Sequence, residues 1–212
     1  MCSSFKIIRY ICEKLEQTVI NMNKKKQKKK HVGDVISPTP ADTTAANAMP
    51  PTPADTTAAD KDFMLEAIRL ASESACNGGG PFGAVVVKDG QVIAGRSNSV
   101  TLDNDPTAHA EVNAIREACS KLGTIDLTGC TIYTSCEPCP MCLGAIYGSH
   151  ISHIFYGNTR QDARAINFAD DFIYDELARP VHARSVPAVQ LLHDEALRSF
   201  QLWSENADKT EY

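Results

Sequence analysis

Thr131-Ile132-Tyr133-Thr134-Ser135-Cys136-Glu137-Pro138-Cys139-Pro140-Met141-Cys142 begins with β-branched and aromatic residues and ends at a proline suited to the first turn of a helix. The pattern predicts a strand over 131–134, a turn carrying thiols, and a helix from Pro140 to about Tyr147. A strand that delivers a loop to a helix start is an α/β unit, and the flanking sequence repeats the alternation. Upstream, Pro106 and Thr107 introduce a helix through about Leu122, with Val112, Ile115 and Cys119 inward and Gly123 after its end. Ala84–Val87 and Gln91–Ala94 flank Lys88-Asp89-Gly90, a hairpin turning on Asp-Gly. Before it, Met64, Ala67, Ile68, Ala71 and Ala75 form one stripe of a helix beginning near Asp60 or Asp62. Downstream, Ile151–Tyr156 and Val186–Leu192 read as strands and 195–206 as a helix, with Leu197, Phe200, Leu202 and Trp203 available for packing. The expected architecture is a three-layer α/β domain over residues 61–212.

Three cysteines in seven residues (Cys136, Cys139, Cys142) point to metal or thiol chemistry in a reducing compartment rather than to a disulfide scaffold. A Cys-x-x-Cys alone is ambiguous between redox dithiol, structural zinc and catalytic zinc. His109-Ala110-Glu111 at another helix start removes part of that ambiguity. His109, Cys139 and Cys142 are borderline-soft ligands that suit Zn²⁺, and the absence of a fourth ligand at matching spacing leaves a position for water. Such a metal activates water near neutral pH, and Glu111, two residues from His109, serves as the proton carrier. Cys136 is read as a buried thiol outside the ligand set. His150 and His153 are read as strand or turn residues, and Cys76, Cys119 and Cys130 as core or cap residues.

The pairing of His-x-Glu with Pro-Cys-x-x-Cys resembles the zinc deaminases of nucleobases. Gly79-Gly80-Pro81-Phe82-Gly83-Ala84, Asn104 to Glu111, Thr134 to Tyr147, Phe168-Ala169-Asp170-Asp171-Phe172-Ile173-Tyr174 and the terminal Glu211-Tyr212 narrow the resemblance. Over 62–212 the chain resembles bacterial-type guanine deaminases of the cytidine deaminase-like superfamily. The resemblance implies an α/β/α fold with a central mixed sheet, one zinc per subunit with a bound water, and hydrolysis of guanine at C2 to xanthine and ammonia in purine salvage or catabolism. It implies zinc on His109, Cys139 and Cys142, Glu111 as proton shuttle, and Asp170 assisting the departing amine. It also implies Asn98, Phe82, backbone at Ala110 and Tyr212 around the purine, within a homodimer that exchanges its C-terminal segment. One departure stands out: the family carries a bulky aromatic where this chain has Gly148, which would widen the pocket towards guanosine.

The 212 residues carry a formal net charge of −5, but the charge is unevenly divided. Residues 1–60 hold 9 basic and 6 acidic side chains, and residues 61–212 hold 12 and 20. A −8 catalytic segment disfavours the polyanionic substrate of a tRNA adenosine deaminase. It also disfavours a zinc-stabilised nucleic-acid module, which would in addition close all four metal positions with protein ligands. In the first sixty residues, 5–20 has helical spacing, and 24–30 places six lysines in seven positions, suited to an import receptor and hence to a nuclear as well as cytoplasmic location. Pro-Thr-Pro-Ala-Asp-Thr-Thr-Ala-Ala occurs at 38–46 and again at 51–59 without a large apolar side chain, which reads as a disordered linker. No apolar run reaches the roughly 18 residues of a membrane span.

Overall fold

The computed structural model describes residues 56–211. The expected helix at 5–20, the lysine run, most of the repeat and Tyr212 lie outside the described residues. Four strands, β1 (Gly83–Lys88), β2 (Gln91–Ser97), β3 (Cys130–Cys136) and β4 (His153–Asn158), form one sheet in the order β2-β1-β3-β4. β1 pairs antiparallel with both β2 and β3, and β3 pairs parallel with β4, so the sheet is mixed. The β1–β2 hairpin turns on Asp89 and Gly90, both at positive φ, as a two-residue turn matched to strand twist requires.

β1 and β3 are buried along almost their whole length because helices cover both faces of the sheet. On one face lie α1 (Ala58–Cys76), Ala67, Val85, Val87 and Tyr133, with Phe63 and Phe155 flanking the tyrosine ring. On the other, α3 (Ala110–Leu122) and α4 (Pro140–Gly148) pack Ala110, Ala114, Ile115 and Ile146 against Ala84, Val86 and Ile132. A short α2 (Val100–Asp103) lies between β2 and α3. The expected α/β/α layering is therefore present.

Three local expectations change. α1 starts at Ala58, inside the second repeat copy, because Thr57 and Asp60 form a capping box that nucleates the helix earlier than the apolar stripe does. Along α1, Ser74 is buried beside Ala67 and Ala71, whereas Ile68 is exposed. α3 starts at Ala110 rather than at Pro106, since His109 is extended and acts as N-cap. The third change is larger. Val186–Leu192 is not a strand: Pro187 lacks an N–H, and no described strand lies beside the segment to pair with it.

Beyond β4 come α5 (Arg160–Ala165), α6 (Phe172–Ala178), a 3₁₀ turn at Val181–Ala183 and α7 (His193–Glu205). None of the residues 159–211 is buried. Among the described residues, no helix is long and apolar enough to cross a membrane.

Candidate active site

The site forms where two helices begin on the same face of the sheet. His109 caps α3 and Cys139 caps α4, both in extended conformation, while Pro140 occupies the first turn of α4. Cys142 follows three residues later, one helical turn on, and so faces the same point. His109 Nδ1 lies 3.6 Å from Cys139 Sγ and 3.5 Å from Cys142 Sγ. Zinc bonds of about 2.0–2.1 Å to nitrogen and 2.3 Å to sulfur in a tetrahedron require N···S edges of about 3.6 Å. The three side chains fit that requirement, and among the described residues they are the group of His, Cys and carboxylate side chains close enough to share an ion.

The two thiols and the imidazole influence one another's protonation. Cys139 and Cys142 share a hydrogen bond: it and the His109 contact hold Cys139 down at about 4, while the same bond and burial push Cys142 up. The Cys139 hydrogen bond raises His109 against its burial. Cys136 behaves differently. Burial raises it to about 11, its thiol donates to the Thr159 carbonyl at 3.7 Å, and it is outside the group close enough to share an ion.

Glu111, in the first turn of α3, is buried beneath the ligands. Its Oε2 accepts from the Cys142 thiol at 3.4 Å and its Oε1 from the Thr134 hydroxyl at 3.1 Å. Desolvation raises its pKa above the ordinary carboxylate range.

A cleft of about 370 Å³ opens over these groups. Phe82 forms one wall, with Phe168 edge-on to it at 4.8 Å between ring centres. Asn98 is buried at the floor, its Oδ1 accepting from the Val100 N–H at 3.2 Å. Gly79 and Gly80 wrap around it: a Cβ at Gly79 would meet Ser74 Oγ at 2.4 Å, and one at Gly80 would meet Asn98 Oδ1 at 3.0 Å. Asp170 also lines the cleft. His109, Glu111, Cys139, Asn98, Phe82 and Asp170 thus meet in one cleft, with Cys142 buried behind Cys139 and Glu111.

The Ala110 side chain belongs to the core, which leaves its backbone at the start of α3. Gly148 ends α4, exposed, with nothing within 4 Å of an added Cβ, and it does not line the cleft. Eight residues of helix, about 12 Å, separate it from Pro140, so its missing ring does not widen this chain's pocket. Sequence reasoning missed Arg160, Tyr174 and Thr134. Arg160 lies over the Tyr174 ring and pairs with Glu137, and Tyr174 donates to the Pro138 carbonyl at 3.4 Å. Tyr174 stood in the 168–174 segment that carries the resemblance without a role assigned to it, and Thr134 stands two positions before Cys136 in a strand, hence on the same face.

A family model described as the cytidine and deoxycytidylate deaminase zinc-binding region matches residues 57–158. The chain is 52% identical over 151 residues to a guanine deaminase of Bacillus subtilis, a match spanning 71% of this chain and 97% of that protein. The crystal structure of the Bacillus subtilis guanine deaminase superposes with a TM-score of 0.70 at 51% identity, over 72% of this chain and 98% of the other. The chain belongs to the guanine deaminases of the cytidine deaminase-like superfamily. A more divergent member of this family, guanine deaminase from Nitrosomonas europaea, matches at 29% identity and a TM-score of 0.52, over 82% of this chain and all of the other. A tRNA-specific adenosine deaminase of Aquifex aeolicus is 44% identical over only 94 residues, 44% of this chain and 62% of that protein.

Proposed function

We propose that the chain hydrolyses guanine to xanthine and ammonia, as one step in purine salvage or catabolism. The observation that carries this reading is the match along nearly the whole Bacillus subtilis guanine deaminase, which extends beyond the 57–158 region shared with the wider superfamily. The cleft agrees. Its mouth carries Glu137, Asp170 and Asp171 against Arg160, a poor surface for a polyanion and a tolerable one for a neutral base. With Gly148 outside the cleft, the specific argument for guanosine loses its support.

His109, Cys139 and Cys142 would hold one zinc, which when bound supplies Lewis acidity and lowers the pKa of water to about 7. The chain's own groups do the rest. Phe82, with Phe168 edge-on to it, walls the purine plane, and the Asn98 amide hydrogen-bonds the purine's polar edge. Glu111 Oε2, beside the ligands, takes a proton from the attacking water and returns it to ring N3. Glu111 then takes the remaining proton from the new C2 hydroxyl and, directly or through Asp170, delivers it to the departing 2-amino group, so that water and guanine leave as xanthine and ammonia. The backbone N–H groups at the starts of α3 and α4 favour negative charge developing between them.

The C-terminal segment supports an exchanged homodimer in which Tyr212 closes the partner's cleft. Val186, Val189 and Leu191 are 76, 88 and 80% exposed, and Phe200, Leu202 and Trp203 are exposed as well. β4 has an outer edge that no described strand covers. The lysines of 24–30 would engage an import receptor, which nuclear exclusion on their replacement by Ala would test. The activity is tested by ammonia release from the zinc-loaded protein on guanine, guanosine and tRNA. Turnover of guanine is expected. Turnover confined to guanosine or tRNA would overturn the reading.

A further inference from the structure

Thr134 sits on β3 between Ala84 of β1 and Tyr156 of β4, in register with both. Alternation puts its side chain on the face that carries Ile132 and Cys136, the face covered by α3 and α4. The neighbouring core there is apolar: Ala84, Val86, Ala110, Ala114 and Ile132. At 1% exposure the residue is closed off from bulk solvent. A hydroxyl is costly in such a place unless it is paired, and valine would fill the same volume without that cost. The hydroxyl donates to Glu111 Oε1 at 3.1 Å.

We infer that Thr134 is a positioning residue, clamping one oxygen of the Glu111 carboxylate so that the other faces the reacting atoms. The inference rests on the reading of Glu111 as the proton carrier. Two side chains donate to Glu111: Cys142 through its thiol to Oε2 and Thr134 through its hydroxyl to Oε1. The Thr134 bond ties Oε1 to the sheet and leaves Oε2 on the side of the ligands. The tie is rigid because Thr134 belongs to a central strand paired on both sides, whereas α3 alone leaves a long Glu side chain several rotamers.

The test uses the full-length, zinc-loaded protein with Thr134→Val, Thr134→Ser and Glu111→Gln beside the parent. Zinc content should be unchanged in all three, because none is a ligand. Thr134→Val should lower kcat on guanine about 10- to 100-fold, the scale of a misoriented general acid–base, with KM within about twofold. Thr134→Ser keeps the hydroxyl and should stay within about threefold of the parent. In crystals of Thr134→Val, the Glu111 side chain should leave its single rotamer. Parental kcat in Thr134→Val, a Thr134→Ser loss as deep as that of Thr134→Val, or a Glu111 rotamer identical to the parent's would each overturn the inference. If Thr134→Val does not fold, Thr134→Ala against Thr134→Ser gives the same comparison. Glu111→Gln separates the two claims: its retained turnover sinks the proton-carrier reading, whereas its inactivity beside a fully active Thr134→Val sinks only the clamp.

Discussion

Residues 58–158 and 159–211 are built on opposite principles. The first part has a core on both faces of its sheet and carries the three ligands and Glu111 on elements locked into that core. The second contributes Arg160, Phe168, Asp170 and Tyr174 to the cleft yet buries none of its residues. The polar ties between them concentrate at Cys136–Pro138, through Thr159, Arg160 and Tyr174. A site split this way keeps the reacting groups rigid and leaves the substrate's cover to a segment of low local stability. The metal chemistry should therefore depend on the first part alone, and the handling of substrate on both.

The largest effects belong to the rigid part. Glu111→Gln should retain zinc and lose about a thousandfold or more in kcat, because it removes the proton carrier and no ligand. Its melting temperature should not fall, since the substitution takes a desolvated carboxylate out of the core. Cys142→Ser should lose zinc, measured by metal analysis after dialysis, and activity with it. Cys136→Ser, three residues from Cys139, should keep both. A Cys136 variant that lost its metal would redraw the ligand set.

The exposed part should give smaller and different losses. Deleting 186–212 removes no side chain that is buried within the chain among the described residues, so the remaining domain should still fold, its melting temperature falling only by what a lost subunit interface contributed. Zinc should stay. If the segment covers a partner's cleft, the deletion should convert dimer to monomer by light scattering and raise KM for guanine about tenfold or more. An unchanged dimer with parental KM would break the proposed exchange and leave the segment without a function.

These contrasts also explain what could be read from the residues beforehand. His109, Glu111, Cys139 and Cys142 were readable because their spacing relative to helix starts is local, and local geometry is written in a few adjacent residues. Asn98, Phe82 and Asp170 came through family resemblance, since only the fold brings Gly79–Gly80, the end of β2 and the α5–α6 connection together. Val186–Leu192 has the composition of a strand but not, within one described chain, the neighbour that would make it one. A strand is a property of a pair. Gly148 misled for a similar reason: nearness to Cys142 in sequence is not nearness to the cleft when a helix carries it away.

The smallest effect tests the boundary between tail and domain. The tail is expected to be dispensable for chemistry, but its last residues belong to the fold. Asp60 accepts from the Thr57 backbone and hydroxyl and from the Tyr133 hydroxyl, and these bonds, Thr57 foremost, hold its pKa below the ordinary range. A carboxylate lowered on folding stabilises the protein above its unfolded pKa of about 3.8 and loses that contribution as pH falls through the folded value. Deleting 1–55 should therefore leave the melting temperature unchanged near pH 7. Deleting 1–60 removes the capping box and strands the buried Tyr133 hydroxyl, a loss of about 2–3 kcal/mol and roughly 5–10 °C. Adding Tyr133→Phe to the longer deletion should recover part of it, because the ring then has no hydroxyl to satisfy. Yet kcat should hold in both deletions, since Tyr133 faces α1 while Thr134, the next residue, faces Glu111. Equal melting of the two deletions would place the domain boundary after Asp60. A fall in kcat with the longer one would show that the two faces of β3 are not independent.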